Sequence, residues 1–483
     1  MKTVIYNIGT LAGILPADVR KLEGAQMNHV ECIENAYLVI EDGIIAEFGK
    51  MSESVILNGT KDPVILNETN GHAILNGTKD PVILNGTKDP VILNETKWSE
   101  ESLGERSFAD AQDDKKGRQD DNKGKEENRR QEDKIEYIDA KGGFVLPAFC
   151  DSHTHIVYAG CRDGEFRDKI AGLSYEEIAA RGGGILNSAD LLHETSEDEL
   201  YEQAMVRVRE IMAMGTGAVE IKSGYGLTVE DELKMLRVIK RIKETAPITV
   251  KANFLGAHAV GRAYRGRQAE YVDLVCNEML PKVAEEGLAD YVDVFCDAGF
   301  FTVEETARIL EKAGEFGIRP KIHANELEVS GGVQVGVRYN ALSVDHLEKT
   351  TDDEIEVLRG SETMPTMLPG CSFFLGLPYG RAKDYIEAGL PVALASDYNP
   401  GSSPSGNMRF VMALGCIKMR LTPEQSLNAC TINSAYAMGV SDILGSITVG
   451  KKANLIITKP VPSLAFIPYS HQTPVIEKVI LNK

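Results

Sequence analysis

Apolar residues between positions 143 and 439 recur in short runs that end in polar residues and precede amphipathic segments. Eight of these runs are predicted strands, at 144–150, 218–221, 250–255, 292–295, 320–322, 342–344, 363–367 and 392–395. The intervening segments carry the helical period, as where Leu200, Ala204 and Val208 fall on one face. This alternation predicts a (β/α)8 TIM barrel. A doubly wound open sheet is the alternative, but no G-x-G-x-x-G follows the first strand.

Helix starts and the chain ends complete the predicted organisation. Capping boxes begin at Ser196, Thr302 and Thr351, and Thr422 adds a proline at the first helical position. A hairpin is predicted around the Asp42-Gly43 turn. Short strands return near residue 447, at 453–458 and at 475–481. The predicted arrangement is a barrel over 135–445 and a small composite β domain formed by 1–50 and 446–483.

Residues 51–134 depart from this pattern. The motif V-I-L-N-G-T-K-D-P recurs there with a nine-residue period, and copies begin at Val55, Val64, Val82 and Val91. A charged, glutamine-containing tract follows over 99–134. Each copy has little apolar surface to bury, which predicts a low-complexity, disordered insertion without function. Stacking of the copies as short β turns is the alternative.

Composition narrows the function classes. The net charge of −20 argues against nucleic acid as a partner, because phosphate binding requires a basic face. The eight cysteines form no C-x-x-C pair, so neither a zinc knuckle nor a thioredoxin-like site is indicated. Cysteines scattered along a chain of this length indicate reduced thiols and a cytoplasmic location. The first residues lack an apolar signal core, and no apolar run is long enough to span a bilayer. No membrane partner is therefore expected.

Five of the nine histidines lie at or just beyond the carboxyl ends of predicted strands, where barrels build their active sites. They are His153, His155, His258, His323 and His346. Residues two apart on a strand point to the same side, so His153 and His155 are placed to bind one ion. His323 adds a third imidazole and Asp397 a carboxylate. Three histidines and one aspartate predict a site for one metal ion, zinc or iron.

Several motifs together resemble the amidohydrolase superfamily and, within it, the imidazolonepropionases. They are D-S-H-T-H at 151–155, E-I-K-S-G-Y-G-L at 220–227, G-A-H-A at 256–259, K-I-H-A-N-E at 321–326, V-D-H-L at 344–347 and S-D-Y-N-P-G-S-S at 396–403. The likeness covers nearly all of the chain outside about 51–135. It implies hydrolytic ring opening of 4-imidazolone-5-propanoate to N-formimidoyl-L-glutamate in histidine degradation, a small-molecule substrate and a homodimer.

Many superfamily members bridge two metals with a modified lysine after the fourth strand. Here that strand ends F-C-D, at Asp297, without a lysine. The sequence therefore favours a single divalent or trivalent ion, with Asp297 as a second-site ligand being the alternative.

Catalytic roles follow from the chemistry of the residues. A bound metal makes hydroxide available near neutral pH, and Asp397 can both hold the metal and accept a proton from its water. His346 is predicted to polarise the substrate or shuttle a proton, or else to be a structural histidine beside the ligands. Glu326, three residues after His323, is predicted to hydrogen-bond the ring nitrogens or to transfer a proton, and the resemblance implies that it contacts the substrate.

The substrate would carry a propanoate, which calls for a guanidinium. Arg162, seven residues after His155, matches the arginine that binds substrate in the family. Tyr225 is expected to hydrogen-bond the substrate, and His258 to contact its ring carbonyl. Asn399, Gly401 and Ser402 are expected to present amide, backbone and hydroxyl groups to the ring and the product.

Two other functions stay open at this point. A deaminase of purine or pyrimidine rings uses the same kind of metal site, although Arg162 and Tyr225 favour an acidic substrate. A repeat-bearing interaction protein on an inactive barrel would predict damaged ligands, yet none of the four is missing. Deletion of 52–134 separates the two classes, since only an enzyme would retain its activity.

Overall fold

The computed structural model describes residues 1–51, 65–66, 73–74, 135–173, 177, 181 and 183–482. Its central feature is an eight-stranded sheet in which every neighbouring pair is parallel. The strands, in spatial as in chain order, are β8 (Phe149–Thr154), β9 (Thr216–Lys222), β10 (Thr249–Ala257), β11 (Tyr291–Cys296), β12 (Arg319–Ala324), β13 (Ser343–His346), β14 (Met364–Met367) and β15 (Ala393–Leu394). Each of the eight predicted strands overlaps one barrel strand, with shifted bounds.

The sheet closes on itself between β8 and the segment that follows β15. His155 N donates to Tyr398 O over 2.9 Å, and Asp397 N donates to His153 O over 3.0 Å. The (β/α)8 fold class is therefore confirmed. Closure uses the backbone of three predicted metal ligands, so the same hydrogen bonds that complete the barrel also fix those residues relative to one another.

Helices follow the strands and surround the barrel. They are α1 (Asp163–Ile170), α2 (Ile185–Glu194), α3 (Glu197–Ala213), α4 (Val229–Thr245), α5 (Gln268–Leu274), α6 (Leu280–Glu285), α7 (Val303–Glu315), α8 (Gly332–Arg338), α9 (Asp352–Leu358), α10 (Pro369–Leu375), α11 (Ala382–Glu387), α12 (Met408–Met419), α13 (Pro423–Asn428), α14 (Ser434–Ala437) and α15 (Phe466–Tyr469). Within the part of the chain that the structure describes, no helix combines the length and apolar character needed to cross a bilayer.

The predicted helix starts form as capping motifs. At Thr302, Thr351 and Thr422 both reciprocal bonds of the capping box are present. At Ser196 the hydroxyl accepts the N–H of Glu199, which is half of the motif. These caps satisfy backbone donors that the first helical turn leaves without partners.

A second sheet combines strands from both ends of the chain. Its order is β17-β16-β7-β1-β2-β3, with β6 paired to β1. The strands are β1 (Lys2–Ile14), β2 (Glu31–Glu41), β3 (Ile44–Lys50), β6 (Ile135–Asp139), β7 (Phe144–Pro147), β16 (Leu455–Thr458) and β17 (Ile476–Ile480). The predicted hairpin turn is confirmed, because Asp42 and Gly43 both have positive φ, at 48° and 80°, as a two-residue turn of this kind requires.

The start of the barrel differs from the prediction in two respects. The apolar run at 144–150 is not one strand, since β7 belongs to the terminal sheet and β8 opens the barrel. The chain changes sheets at Ala148, whose N–H donates to Asn454 O, while Phe149 N donates to Gly215 O. The barrel therefore begins at Phe149 and not at residue 135. Strands of the terminal sheet and of the barrel both contain continuous apolar runs. The apolar pattern therefore does not show where the chain passes from one sheet to the other.

Most of the predicted insertion, 51–134, lies outside the described residues. Met51 is described, as are β4 (Ile65–Leu66) and β5 (Ala73–Ile74), which pair antiparallel with Ile65 opposite Ile74. Met51 and Ile135, which flank the insertion, pack against the same small cluster of Val4, Tyr37 and Val39. The chain thus leaves and re-enters the terminal sheet at one place.

Replacement of residues 52–134 by a short glycine–serine linker is expected to leave the fold intact. The two ends are already adjacent, and shortening the loop about eightfold reduces the entropy cost of closing it by roughly 2 kcal/mol. The midpoint of thermal unfolding should therefore stay the same or rise. A variant with 52–134 shuffled at constant composition is the matched control. A fall of the midpoint by more than about 5 °C in the linker variant would show that the insertion packs on the fold.

Candidate active site

A cavity of about 490 Å³ opens at the carboxyl ends of the barrel strands. Its size suits a small-molecule ligand. Every predicted substrate-binding residue lines it: Arg162, Tyr225, His258, Glu326, Asn399, Gly401 and Ser402. His155, His323, His346 and Asp397 line it as well, whereas His153 lies behind them and is completely buried. The topology thus brings these residues from the carboxyl ends of six strands to one chamber.

Three of the four predicted metal ligands converge closely. Nε2 of His153 and Nε2 of His155 are 3.3 Å apart, and they lie 3.5 Å and 3.6 Å from Oδ1 of Asp397. Asp397 has a positive φ of 55°, which turns its carboxylate toward the two rings. All three residues are at most 2 % exposed.

His323 takes a somewhat different place from the one predicted. One ligand atom of His323 lies within 4.8 Å of those of His153 and His346, but His323 is not in the group with His155 and Asp397. Its ring centroid is 4.5 Å from that of His153 and 5.2 Å from that of His346. The structure therefore offers two overlapping groups that share His153.

Buried carboxylates orient two of these rings from below. Nδ1 of His153 lies 2.7 Å from Oδ2 of Asp345, and Nδ1 of His323 lies 3.1 Å from Oδ1 of Asp293. Carboxylates of this kind are usual partners of metal-binding histidines, since they fix the tautomer. Sequence reasoning missed both. The available signal was their position on barrel strands β13 and β11, where a buried acid needs a partner.

Beneath the histidines lies a layer of charged side chains with no exposure to solvent. Lys222 Nζ donates to Glu220 over 2.6 Å and to Asp293 over 2.7 Å, and Lys321 Nζ donates to Glu220 over 2.5 Å. These ions are paired and hydrogen-bonded, as buried charges must be. The layer holds Asp293, and hence the ring of His323, in place.

The histidine–aspartate cluster fits a cation. Burial holds the pKa of His153 and of His155 well below the usual range, so both rings are neutral. Because His153 donates through Nδ1 to Asp345, its Nε2 carries a lone pair that faces the carboxylate of Asp397. Nε2 of His155 and Oδ1 of Asp397 converge with this lone pair within 3.6 Å, so a cation can bind all three atoms together. Neutral imidazoles and a carboxylate are the protonation states that metal binding needs.

Glu326 and His346 form an adjoining pair. Oε2 of Glu326 lies 3.6 Å from Nε2 of His346, and Oε2 of Glu348 lies 3.4 Å from Nδ1. Burial raises the pKa of Glu326 to about 7. Burial by itself would lower the pKa of His346, but the carboxylates of Glu326 and Glu348 raise it to about 10. Near neutral pH the imidazolium of His346 therefore faces Glu326.

Asp297 supports Glu326. Its carboxylate accepts the backbone N–H groups of Glu326, Leu327 and Glu328 over 2.7–3.1 Å. Among the described residues it belongs to no group of side chains that could hold a metal ion. The alternative that Asp297 is a second-site ligand is thus disfavoured, since its oxygens already fix the loop after β12.

Arg162 reaches across the cavity from the loop after β8 to the loop after β15. Its guanidinium donates through Nε and Nη2 to Oε2 of Glu165, and Oε1 of Glu165 accepts the N–H of Gly184. A Cβ atom built on Gly401 would lie only 2.1 Å from Nη1 of Arg162. The guanidinium can therefore pack against residue 401 only because Gly401 has no side chain. The sequence did not reveal this role.

His258 is a hydrogen-bond acceptor toward the cavity. Its Nδ1 lies 3.0 Å from the carbonyl oxygen of Gly224, which can only accept, so the proton sits on Nδ1. Burial lowers the pKa of His258 to about 3, which keeps the ring neutral. Its Nε2 therefore suits a substrate N–H better than the ring carbonyl predicted from sequence. The ring of Tyr225 lies beside it, with centroids 5.4 Å apart.

Asn399 and Ser402 shape the loop after β15. The amide of Asn399 donates to Asp397 O and Ser402 Oγ and accepts the N–H groups of Gly401 and Ser402. Ser402 Oγ lies 3.1 Å from Oδ2 of Asp397. With both ends of its amide engaged, Asn399 serves first to hold Asp397 and Gly401 in position.

Several cavity residues were not anticipated from the sequence. The helix α1 contributes Glu165, Phe166 and Lys169 to the mouth of the cavity, where Lys169 Nζ lies 5.0 Å from the ring centroid of Phe374. None of its residues is buried, so an apolar periodicity could not have revealed which face points inward.

Comparison with known proteins agrees with this geometry. Residues 303–482 match the model of the amidohydrolase family. Guanine deaminase from Escherichia coli superposes with a TM-score of 0.64 at 12% identity, and the match covers 100% of this chain and 97% of that one. At this identity the likeness concerns the fold alone. Fold, family match and buried histidine–aspartate cluster define a metal-dependent hydrolase of the amidohydrolase class.

Two relatives define the family more narrowly. An imidazolonepropionase from Flavobacterium johnsoniae is 49% identical over 482 residues, which cover 100% of this chain and 99% of that protein. An imidazolonepropionase from Christiangramia forsetii is 59% identical over 345 residues, covering 71% and 84% respectively. The chain belongs to the imidazolonepropionase family.

Proposed function

We propose that the protein hydrolyses 4-imidazolone-5-propanoate to N-formimidoyl-L-glutamate, a ring-opening step of histidine degradation. The observation that carries the proposal is the shared chamber in which Arg162 and the histidine–aspartate cluster meet. The loop after β15 joins them, since it holds both Asp397 and Gly401, against which the guanidinium packs. Membership of the imidazolonepropionase family supports the same reaction.

The proposed cofactor is one ion of zinc or iron, held by His153, His155, His323 and Asp397. The convergence of the first two rings with Asp397, and the contact of the His323 ring with His153, support this set. When bound, the ion activates water for attack and polarises the substrate carbonyl. Asp345 and Asp293 keep the rings of His153 and His323 oriented.

Three side chains accept or donate the protons of the reaction. Asp397, beside the cluster and bonded by Ser402, is proposed to accept the proton of the attacking water. The imidazolium of His346 donates a hydrogen bond to the carbonyl oxygen as negative charge develops there. Ionised Glu326, paired with His346, accepts an N–H of the ring. The proton that Asp397 took from the water then passes to the ring nitrogen, as the bond between this nitrogen and the former carbonyl carbon breaks.

The remaining contacts position the substrate. Arg162 binds the propanoate through its fork of N–H donors, with Glu165 holding the guanidinium in place. His258 presents Nε2 to the substrate as a neutral acceptor, and Tyr225 hydrogen-bonds the substrate beside it. Asn399, Gly401 and Ser402 form the wall against which the ring and the product lie. The homodimer is proposed from the family resemblance, and the cytoplasmic location from the reduced cysteines.

Turnover of 4-imidazolone-5-propanoate by the purified full chain tests the proposal, followed by loss of the ring's ultraviolet absorbance. We expect turnover that a chelator abolishes and that added zinc or iron(II) restores. Guanine and cytosine serve as comparison substrates, because they lack the anionic tail that Arg162 is placed to bind. Folded, metal-loaded protein that deaminates either base but leaves the imidazolone intact would overturn the substrate assignment.

The pH dependence of kcat/KM should be bell-shaped. Protonation of Glu326 removes the acceptor of the ring N–H, so activity falls as pH drops below about 7. Deprotonation of His346 removes the donor to the carbonyl oxygen, so activity falls again toward pH 10. The acidic and alkaline limbs of the profile report the titration of Glu326 and His346 as one coupled pair.

The Glu326→Gln variant should lose the acidic limb and keep the alkaline one. Exposed Glu270, which pairs with Arg267 on the surface, supplies the control Glu270→Gln. An unchanged acidic limb in Glu326→Gln would assign that titration to another group.

A further inference from the structure

Next to the predicted catalytic ligands lies a third group of side chains suited to a metal ion. Ligand atoms of Glu326, His346 and Cys371 lie within 4.8 Å of one another. This group shares no residue with the set His153, His155, His323 and Asp397. It combines a thiol, an imidazole and a carboxylate, which are ligands that zinc accepts together.

The distances approach those of a tetrahedral zinc site. Nε2 of His346 is 3.6 Å from Oε2 of Glu326, and Sγ of Cys371 is 3.8 Å from Oε1 of Glu326. Zinc bonds of about 2.3 Å to sulfur and 2.0–2.2 Å to nitrogen and oxygen place tetrahedral ligand atoms roughly 3.3–3.7 Å apart. The two contacts use different oxygens of Glu326, so an ion binds that carboxylate through both oxygens, or through one oxygen after the carboxylate rotates.

Neighbouring residues prepare the group for a cation. Glu348, which accepts the hydroxyl of Ser372, lies 3.4 Å from Nδ1 of His346 and so turns Nε2 toward Glu326. Burial and the carboxylates of Glu326, Asp397 and Glu348 raise the pKa of the Cys371 thiol well above its usual range. These carboxylates destabilise the thiolate by itself, but they stabilise a divalent ion that binds together with the thiolate.

An ion can reach the group from the cavity. Glu326 and His346 both line the chamber, while Cys371 lies directly behind them and is fully buried. Cys371 forms no disulfide. The fourth coordination position would therefore face the chamber and take water.

We propose that Glu326, His346 and Cys371 form a second, inhibitory zinc site. Zinc bound there displaces two protons to solvent, the thiol proton of Cys371 and the Nε2 proton of the His346 imidazolium. It also occupies Glu326 and His346, which are proposed to hydrogen-bond the substrate. Excess zinc should therefore stop turnover while the first ion stays in place. The inhibition, but not the binding, rests on the proposed function.

Cobalt titration of the metal-depleted full chain tests the site without any substrate. We expect two equivalents to bind, the second with a thiolate-to-cobalt charge-transfer band in the near ultraviolet. Cys371→Ala should lose that band and the second equivalent. Cys430→Ala, which removes another buried thiol away from the cavity, is the matched control and should keep both.

Turnover assays then test the regulatory part. Wild type and Cys430→Ala should be inhibited by zinc in excess of one equivalent, whereas Cys371→Ala should keep its activity at every zinc concentration that leaves the protein soluble. Cys371→Ser, which preserves the side-chain volume, replaces Cys371→Ala if the latter unfolds, and it should lose the charge-transfer band as well.

The titration and the assays distinguish failure of the second zinc site from failure of the proposed substrate. A single bound equivalent without a thiolate band in wild type, or a band that persists in the Cys371 variants, would overturn the second site. A band that depends on Cys371 in a protein that does not turn over the imidazolone would overturn the proposed substrate and keep the site.

Discussion

Asp397→Asn should lower kcat by on the order of 10²- to 10⁴-fold, the range expected when a positioned proton acceptor is lost. Asp397 lies 3.5 Å and 3.6 Å from the facing nitrogens of His153 and His155, and it is almost fully buried. An amide of the same shape keeps one oxygen toward the cluster but cannot accept a full proton. The loss should therefore appear in kcat more than in KM.

Metal content must be measured alongside, because Asp397 is also a proposed ligand. Elemental analysis of the dialysed variant shows whether the ion was lost, and saturation with zinc during the assay compensates for weaker binding. Asp353→Asn, on the exposed start of α9, is the matched control and should behave as wild type. A zinc-saturated Asp397→Asn variant within tenfold of wild-type kcat would assign proton acceptance to Glu326 or His346.

Loss of the Arg162 guanidinium should raise KM by tens- to thousands-fold. Arg162→Met removes the propanoate partner and leaves the part-buried Glu165 without its cation. Removal of one member of such a pair costs about 2–5 kcal/mol in binding, and 1.4 kcal/mol corresponds to tenfold. Arg162→Lys should recover little of this loss, since an ammonium cannot make the two parallel hydrogen bonds of the fork.

Gly401→Ala provides an independent route to the same defect. The added methyl group would lie 2.1 Å from Nη1 and 2.6 Å from Cζ of Arg162, so the guanidinium must move. Gly314→Ala, in α7, has no atom within 4 Å of the new methyl group and serves as the control. An analogue that carries a methyl group in place of the propanoate should be turned over equally by wild type and Arg162→Met. If KM for the natural substrate changes less than threefold in both Arg162→Met and Gly401→Ala, the tail binds elsewhere.

The sequence predicted the barrel because the signals for it are local. Apolar runs, helix caps and histidines at strand ends are each evident within about ten residues. Apart from the run at 144–150, which spans two sheets, they lie where the structure has the corresponding element. Predicted residues such as Arg162 and Asp397, which are 235 positions apart along the chain, share one cavity because parallel strands bring their carboxyl ends together.

The features that the sequence did not reveal depend on partners distant along the chain. Asp345 and Asp293 are ordinary acidic residues until β13 and β11 place them beneath His153 and His323. The change of sheet at Ala148 is decided by Asn454 and Gly215, which no local pattern links to it. The proton position on His258 depends in the same way on the carbonyl of Gly224.

The terminal sheet has a consequence for how the protein is made. Strand β7 pairs with β1 on one edge and with β16 on the other, and β17 then pairs with β16. All barrel strands leave the ribosome before β16 does, so a nascent chain with a complete barrel still exposes the free edge of β7. Unpaired strand edges invite association with other chains. A chain whose translation stops before Leu455 therefore keeps an unpaired strand edge and is expected to aggregate. Addition of β16 and β17 covers this edge.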